Sequence, residues 1–179
     1  MIIFSGLAFI NIKGTKKGSQ FVMMITFIKI IPLLVIVLIG FKDIEIINLY
    51  WETIPPLKDL GETSLILFFA FVGAESGLSI SGEVINPKST IPRAIFLSVF
   101  GVLILYILIQ TVAQGILGDA LALYQENPLG ELAKSIFGPV GLTLITIGAA
   151  VSMFGTLSSE IFGMPRVLFS AAKDKIIPI

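Results

Sequence analysis

The sequence predicts an all-α protein, a polytopic membrane helix bundle in which one helix is discontinuous. Three observations predict it. The 179 residues are 55% hydrophobic and only 13% charged, where a soluble domain carries about 25% charge. Four apolar stretches are each long enough to cross a bilayer, which takes about 20 residues. The loops between them alternate in charge, as loops on opposite sides of a membrane do. With mean hydropathy at +1.00, water is a poor solvent for such a chain, and lipid demands backbone groups satisfied within helices.

The spans fall at about 20–41, 63–84, 94–117 and 136–160 of a single membrane domain covering 1–179. The third is the cleanest, with no charge between Ala94 and Leu117. The apolar run of the fourth continues to Ala172, past Glu160 and Arg166, too long for one crossing, so its end leaves the hydrocarbon. Residues 1–12 are apolar but too short to span. Lys13, Lys16 and Lys17 follow them, the reverse of a signal peptide, whose positive charge comes first. This stretch reads as the trailing end of a partial N-terminal span; the alternative is a short interfacial helix. Prolines punctuate the boundaries. Asn86-Pro87 and Ile91-Pro92 bracket a polar hinge, with Pro92 placed in the first turn of the third span. Asn127-Pro128 offers a cap and a proline before the last segment, and Pro55-Pro56 breaks the loop before the second span.

Eight basic residues, Lys13, Lys16, Lys17, Lys88, Arg93, Arg166, Lys173 and Lys175, fall on one side of this arrangement. Three, Lys42, Lys58 and Lys134, fall on the other. The richer side is the cytoplasmic one, called inner below. The composition excludes several functions. Zero net charge suggests no nucleic-acid partner. The absence of cysteine and histidine removes thiol and imidazole catalysis and most transition-metal sites, so neither an enzyme nor a cofactor or metal protein is expected.

Ionisable residues inside spans cost roughly 2.5–3.5 kcal/mol near the centre and mark function by default. Lys29 lies about nine residues into the first span. It reads as a fixed cation that replaces a bound sodium ion or exchanges a proton; the alternative is a lysine whose stem lies in lipid near the interface. Glu75 lies in a run, Gly73 to Gly82, holding three glycines and three serines. Glycine weakens a helix by about 1 kcal/mol, serine offers competing hydrogen bonds, and a broken helix in lipid survives only where it lines a cavity or is buried in protein. Its free peptide groups then become ligands, as in transporters with discontinuous helices. Close packing through small residues is the competing reading, but packing needs no carboxylate. Glu160 either faces a cationic ligand, pairs with Lys29, or lies at the inner interface.

The stretch Phe68-Phe69-Ala70-Phe71-Val72-Gly73-Ala74-Glu75-Ser76, followed by Glu83-Val84-Ile85-Asn86-Pro87-Lys88-Ser89-Thr90-Ile91-Pro92-Arg93-Ala94, resembles the sixth-span signature of the amino acid–polyamine–organocation (APC) permeases. Asn11 to Gly14 resembles the family's junction of spans four and five, and Arg166 to Asp174 with Pro178 the end of span eight. The resemblance implies part of a LeuT-like fold, from the end of span four through span eight, in a multi-pass protein of the cell membrane, here a bacterial inner membrane. It implies secondary transport or antiport of an amino acid or amine. Phe69, Ala70, Phe71, Gly73, Glu75 and Ser76 would form the sixth-span half of the substrate site, with Phe69 as an aromatic gate. Glu75-Ser76 resembles the basic amino acid and polyamine antiporters, in which tryptophan often stands at the place of Phe69. Lys29 would match a fifth-span lysine of sodium-independent members, and Glu75 would share in proton coupling. Glu160 stands where the family commonly has tryptophan, which fits either a cationic substrate or a decayed gene. The first span, which supplies the other half of the site, has no counterpart here. A truncated or split transporter is therefore expected, inactive alone; the alternative is a non-transporting subunit needing a partner chain with the missing spans.

Overall fold

A computed structural model describes residues 15–50, 53–73, 78, 81–82, 84–173 and 175. Among them there is no strand, and five α-helices carry the fold: α1 Thr15–Gly40, α2 Leu57–Phe69, α3 Pro87–Leu117, α4 Pro128–Phe137 and α5 Pro139–Lys173. Three segments, built on α1, α3 and α5, are long and apolar enough to cross a membrane. The protein is an all-α, multi-pass membrane bundle.

The segment expected as a span over 63–84 is not one helix. It starts earlier, at Leu57, and α2 stops at Phe69. The third span begins at Pro87 instead of Ala94. Proline fits a helix's first position because the missing N–H has no intrahelical partner there. Pro92 therefore falls inside the helix, where it withholds the amide that would close on the Lys88 carbonyl. The last segment divides at Gly138: α4 ends at Phe137, and α5 runs without interruption past Glu160 to Lys173. The Asn127-Pro128 entry is as expected, since the Asn127 side chain accepts a hydrogen bond from the Gly130 amide at 3.0 Å and Pro128 opens α4.

The core lies at the outer end. Ile36 and Val37 of α1, Val112 and Ala113 of α3, and Leu132 and Ala133 of α4 are buried together, with Ile145 of α5 packed against them. Below this layer α1 and α5 run side by side. Ile25 of α1 fits over Gly155 of α5, where an added Cβ would lie 2.5 Å from the Ile25 Cγ2 atom. Because Ile145 packs against the cluster that holds Ile36 and Val37 at the outer end and Ile25 meets Gly155 further in, the two helices are antiparallel. Elsewhere large apolar side chains face outward, as Leu38 at 71% exposure does, which lipid or further helices accept without cost.

Candidate functional site: the end of the broken helix

The last turn of α2 tightens before it ends. The amides of Ala70, Phe71 and Val72 bond to the carbonyls of Leu67, Phe68 and Phe69 at 3.0, 3.2 and 3.3 Å. This i→i−3 pattern closes many helix termini. Gly73 then takes φ +103°, a conformation that a side chain disfavours. Carbonyls at the end of the helix lose their usual i+4 donors, and one of them finds a donor elsewhere. The Tyr106 hydroxyl of α3 donates to the Ala70 carbonyl at 3.3 Å. The Tyr106 ring meets Phe71 edge-on, with centroids 5.7 Å apart and planes at 63°. Phe69 is 73% exposed and stands edge-on to Phe68 at 6.4 Å. Ala70 is exposed and Phe71 half-buried. Glu75 and Ser76, expected to complete this segment, lie outside the described residues.

Lys29 is half-buried. It follows Ile25 by four residues and precedes Ile36 by seven, so it shares their face of α1, the face turned to α5. Among the described residues no hydrogen bond or ion pair joins it to Glu160; the ion pairs Lys58–Glu62 and Lys134–Glu131 lie within α2 and α4. The antiparallel register explains why. Lys29 lies on the outer side of the Ile25–Gly155 contact, and Glu160 on the inner side of it. At 1.5 Å per residue they are about 13 Å apart along the axes, and Glu160 is turned about 140° away from Gly155 round α5. Glu160 is exposed.

Depth groups the other residues. Lys29 lies seven residues below Ile36, and Tyr106 six below Val112. Both therefore sit about 10 Å inward of the outer core, and Tyr106 fixes Ala70 at that level. Glu160, fifteen residues below Ile145, is about 22 Å inward. The fold thus places the end of the broken helix, Tyr106 and Lys29 in one layer, and leaves Glu160 nearer the inner surface. Sequence reasoning missed Tyr106. Its one signal was weak, a hydroxyl that in lipid calls for a partner, in an uncharged span that also holds Ser98, Gln110, Thr111 and Gln114.

Three long apolar helices and a fourth that breaks at their mid-depth define a multi-pass helical protein of the cell membrane. Comparison with known proteins makes this specific. The family model for amino acid permeases matches residues 1–179, and the chain belongs to that family. It is 33% identical to the serine/threonine exchanger SteT of Bacillus subtilis (strain 168) over 96% of the chain and 40% of that protein. It is 26% identical to the arginine/ornithine antiporter of Pseudomonas aeruginosa over 99% of the chain and 38% of that protein. The branched-chain amino acid permease BcaP of B. subtilis (strain 168) is 22% identical over 99% of the chain and 38% of its own length. The chain therefore spans about two-fifths of the length of these curated relatives. No solved structure matches it.

Proposed function

We propose that the chain forms half of a transport site for amino acids, working by exchange or antiport without covalent chemistry. The observation that carries this reading is the end of α2. A helix that stops at mid-depth ends on carbonyls that have lost their i+4 donors; carbonyls of that kind accept hydrogen bonds from a substrate's amino group, while its carboxyl end takes N–H donors. In this reading Phe69 to Gly73, with Glu75 and Ser76 beyond, contact the substrate. Phe69, exposed beside the break, closes over it. Lys29, with Glu75, supplies the charge that couples substrate to ion or proton movement. Glu160 is a carboxylate on the inner half of α5, available to a cationic substrate. The relatives' names support an amino acid: one exchanges serine and threonine, another arginine and ornithine.

The rest of the length that the relatives have supplies the opposite half of the site, so this segment alone does not transport. The test is uptake of radiolabelled neutral and cationic amino acids into proteoliposomes, with the chain alone and with the chain joined to its upstream reading frame. Uptake by the joined protein only is the expected result. An assembly that moves none of the panel, though correctly inserted, defeats the transport reading. The sparse packing of α2 on its neighbours favours a second reading in the same terms, a membrane subunit whose α2 face is covered by a partner chain; uptake that appears only on co-reconstitution with a separate chain distinguishes it.

A further inference from the structure

The loop that leads from α1 into α2 is fastened to the outer end of α3. Asn48 in this loop donates its side-chain Nδ2 to the Gly115 carbonyl at 3.0 Å. The Glu45 amide donates to the same carbonyl at 3.0 Å. In return Gln114 donates its Nε2 to the Asn48 carbonyl at 3.2 Å. The surroundings are shaped to the loop. Gly118, which ends α3 at φ +51°, leaves no room for a side chain, since a Cβ there would lie 2.9 Å from the Asn48 Oδ1 atom. A Cβ on the buried Gly115 would lie 2.7 Å from Ile44.

The other end of α2 is held by the same helix, through Tyr106 and Ala70. Tyr106 and Gly115 are nine residues apart on α3, about 13 Å along its axis. Between Asn48 and α2 stands Pro55-Pro56, and Pro56 has φ −56° and ψ 146°, the extended polyproline geometry that acts as a semi-rigid spacer. The root of α2 is thus extended and proline-stiffened, and the helix is tied to α3 near both of its ends.

We propose that Asn48 is a positioning residue for the broken helix: by clamping the loop to the end of α3 it sets where α2 stands against α3, and so holds Ala70 within reach of Tyr106. The proposal takes the break as the site of the transport reading above, but its test needs no transport. Loss of one ordinary hydrogen bond shifts the ratio of fastened to unfastened loop about three- to tenfold.

The chain has no cysteine, so paired labels can be placed at will. Leu65→Cys with Ile107→Cys reports α2 against α3, and Leu38→Cys with Leu144→Cys reports α1 against α5; all four sites are exposed. Spin-label distances are measured by pulsed electron resonance on the chain in lipid nanodiscs. Asn48→Ala is expected to broaden the α2–α3 distribution and leave the α1–α5 distribution unchanged. Gln114→Ala, which removes one bond and keeps the Asn48 side chain, is expected to do the same more weakly, and it decides the matter if Asn48→Ala does not fold. Unchanged α2–α3 distances in the folded variants overturn the proposal, as does equal broadening of both pairs, which reports general loosening. Broadening confined to α2–α3 in an assembly that moves no amino acid upholds the clamp and defeats only the transport reading.

Discussion

The seam between α1 and α5 can be tested by adding one methyl group at Gly155. In Gly155→Ala the new Cβ lies 2.5 Å from Ile25 Cγ2, at least 1 Å inside ordinary carbon–carbon contact of about 3.5–4.0 Å. The isoleucine cannot turn away, because a β-branched side chain in a helix has one strongly preferred rotamer. The helices must part, at about 1–3 kcal/mol for an overpacked site. Replacing glycine by alanine within a helix returns about 1 kcal/mol, so the single variant loses only about 0–2 kcal/mol and is ambiguous alone. Ile25→Ala resolves the ambiguity. It deletes Cγ2 and keeps Cβ, which stands 3.7 Å from the new methyl, an ordinary contact. The double variant should therefore be more stable than the sum of the singles by about 1–3 kcal/mol, a coupling in which the helix-propensity gain cancels. Reversible unfolding in mixed micelles, followed by helical circular dichroism for the four proteins, measures it. Additivity within about 0.5 kcal/mol would refute the seam, and with it the placement of Lys29 on the face turned to α5.

Three further outcomes are expected. Tyr106→Phe keeps the edge contact with Phe71 and loses a hydrogen bond whose 3.3 Å length is long for a hydroxyl donor, so it costs about 0.5 kcal/mol; Tyr106→Ala costs more, and hydrogen exchange at the Phe71 amide ranks the two. Gly73→Ala meets nothing within 4 Å, so its penalty is conformational, about 1–3 kcal/mol, read as faster exchange at the amides of Ala70, Phe71 and Val72. Lys29→Ala in the joined protein lowers exchange in proteoliposomes about tenfold or more, the worth of a hydrogen bond to a charged group; unchanged rates would remove Lys29 from the coupling.

What the sequence disclosed depended on how local each cause was. Apolar length and loop charge are local, and the membrane class followed from them. The end of α2 was legible near Gly73, which takes a positive φ, though the helix stops four residues earlier, at Phe69, and Ser76, Gly77 and Ser79 lie outside the described residues. Pro87 carried the start of α3 in plain view, but Lys88 and Arg93 drew the boundary inward to Ala94. The corner at Gly138 was hidden inside an apolar run with no change of composition. The partners of Tyr106 and Asn48 could not be read at all. Each of these two side chains acts on a carbonyl far away in the chain, 36 and 67 residues off, and such distances enter only with packing. The Lys29–Glu160 pair failed for the same reason, since which side of the Ile25–Gly155 crossing each residue takes is a property of two helices together.

The length of α5 has a consequence for how the protein meets the surface of its membrane. Its 35 residues make a rod of about 52 Å, against roughly 30 Å of hydrocarbon. Ordinary tilts of about 20° absorb only a few ångströms of that excess. The remainder stands clear of the oil as a short stalk bearing Lys173 at its tip, with Pro165 at its base, where the missing amide leaves one carbonyl open. Water can reach that carbonyl where lipid cannot, so the stalk can bend at its root without disturbing the part that stays submerged.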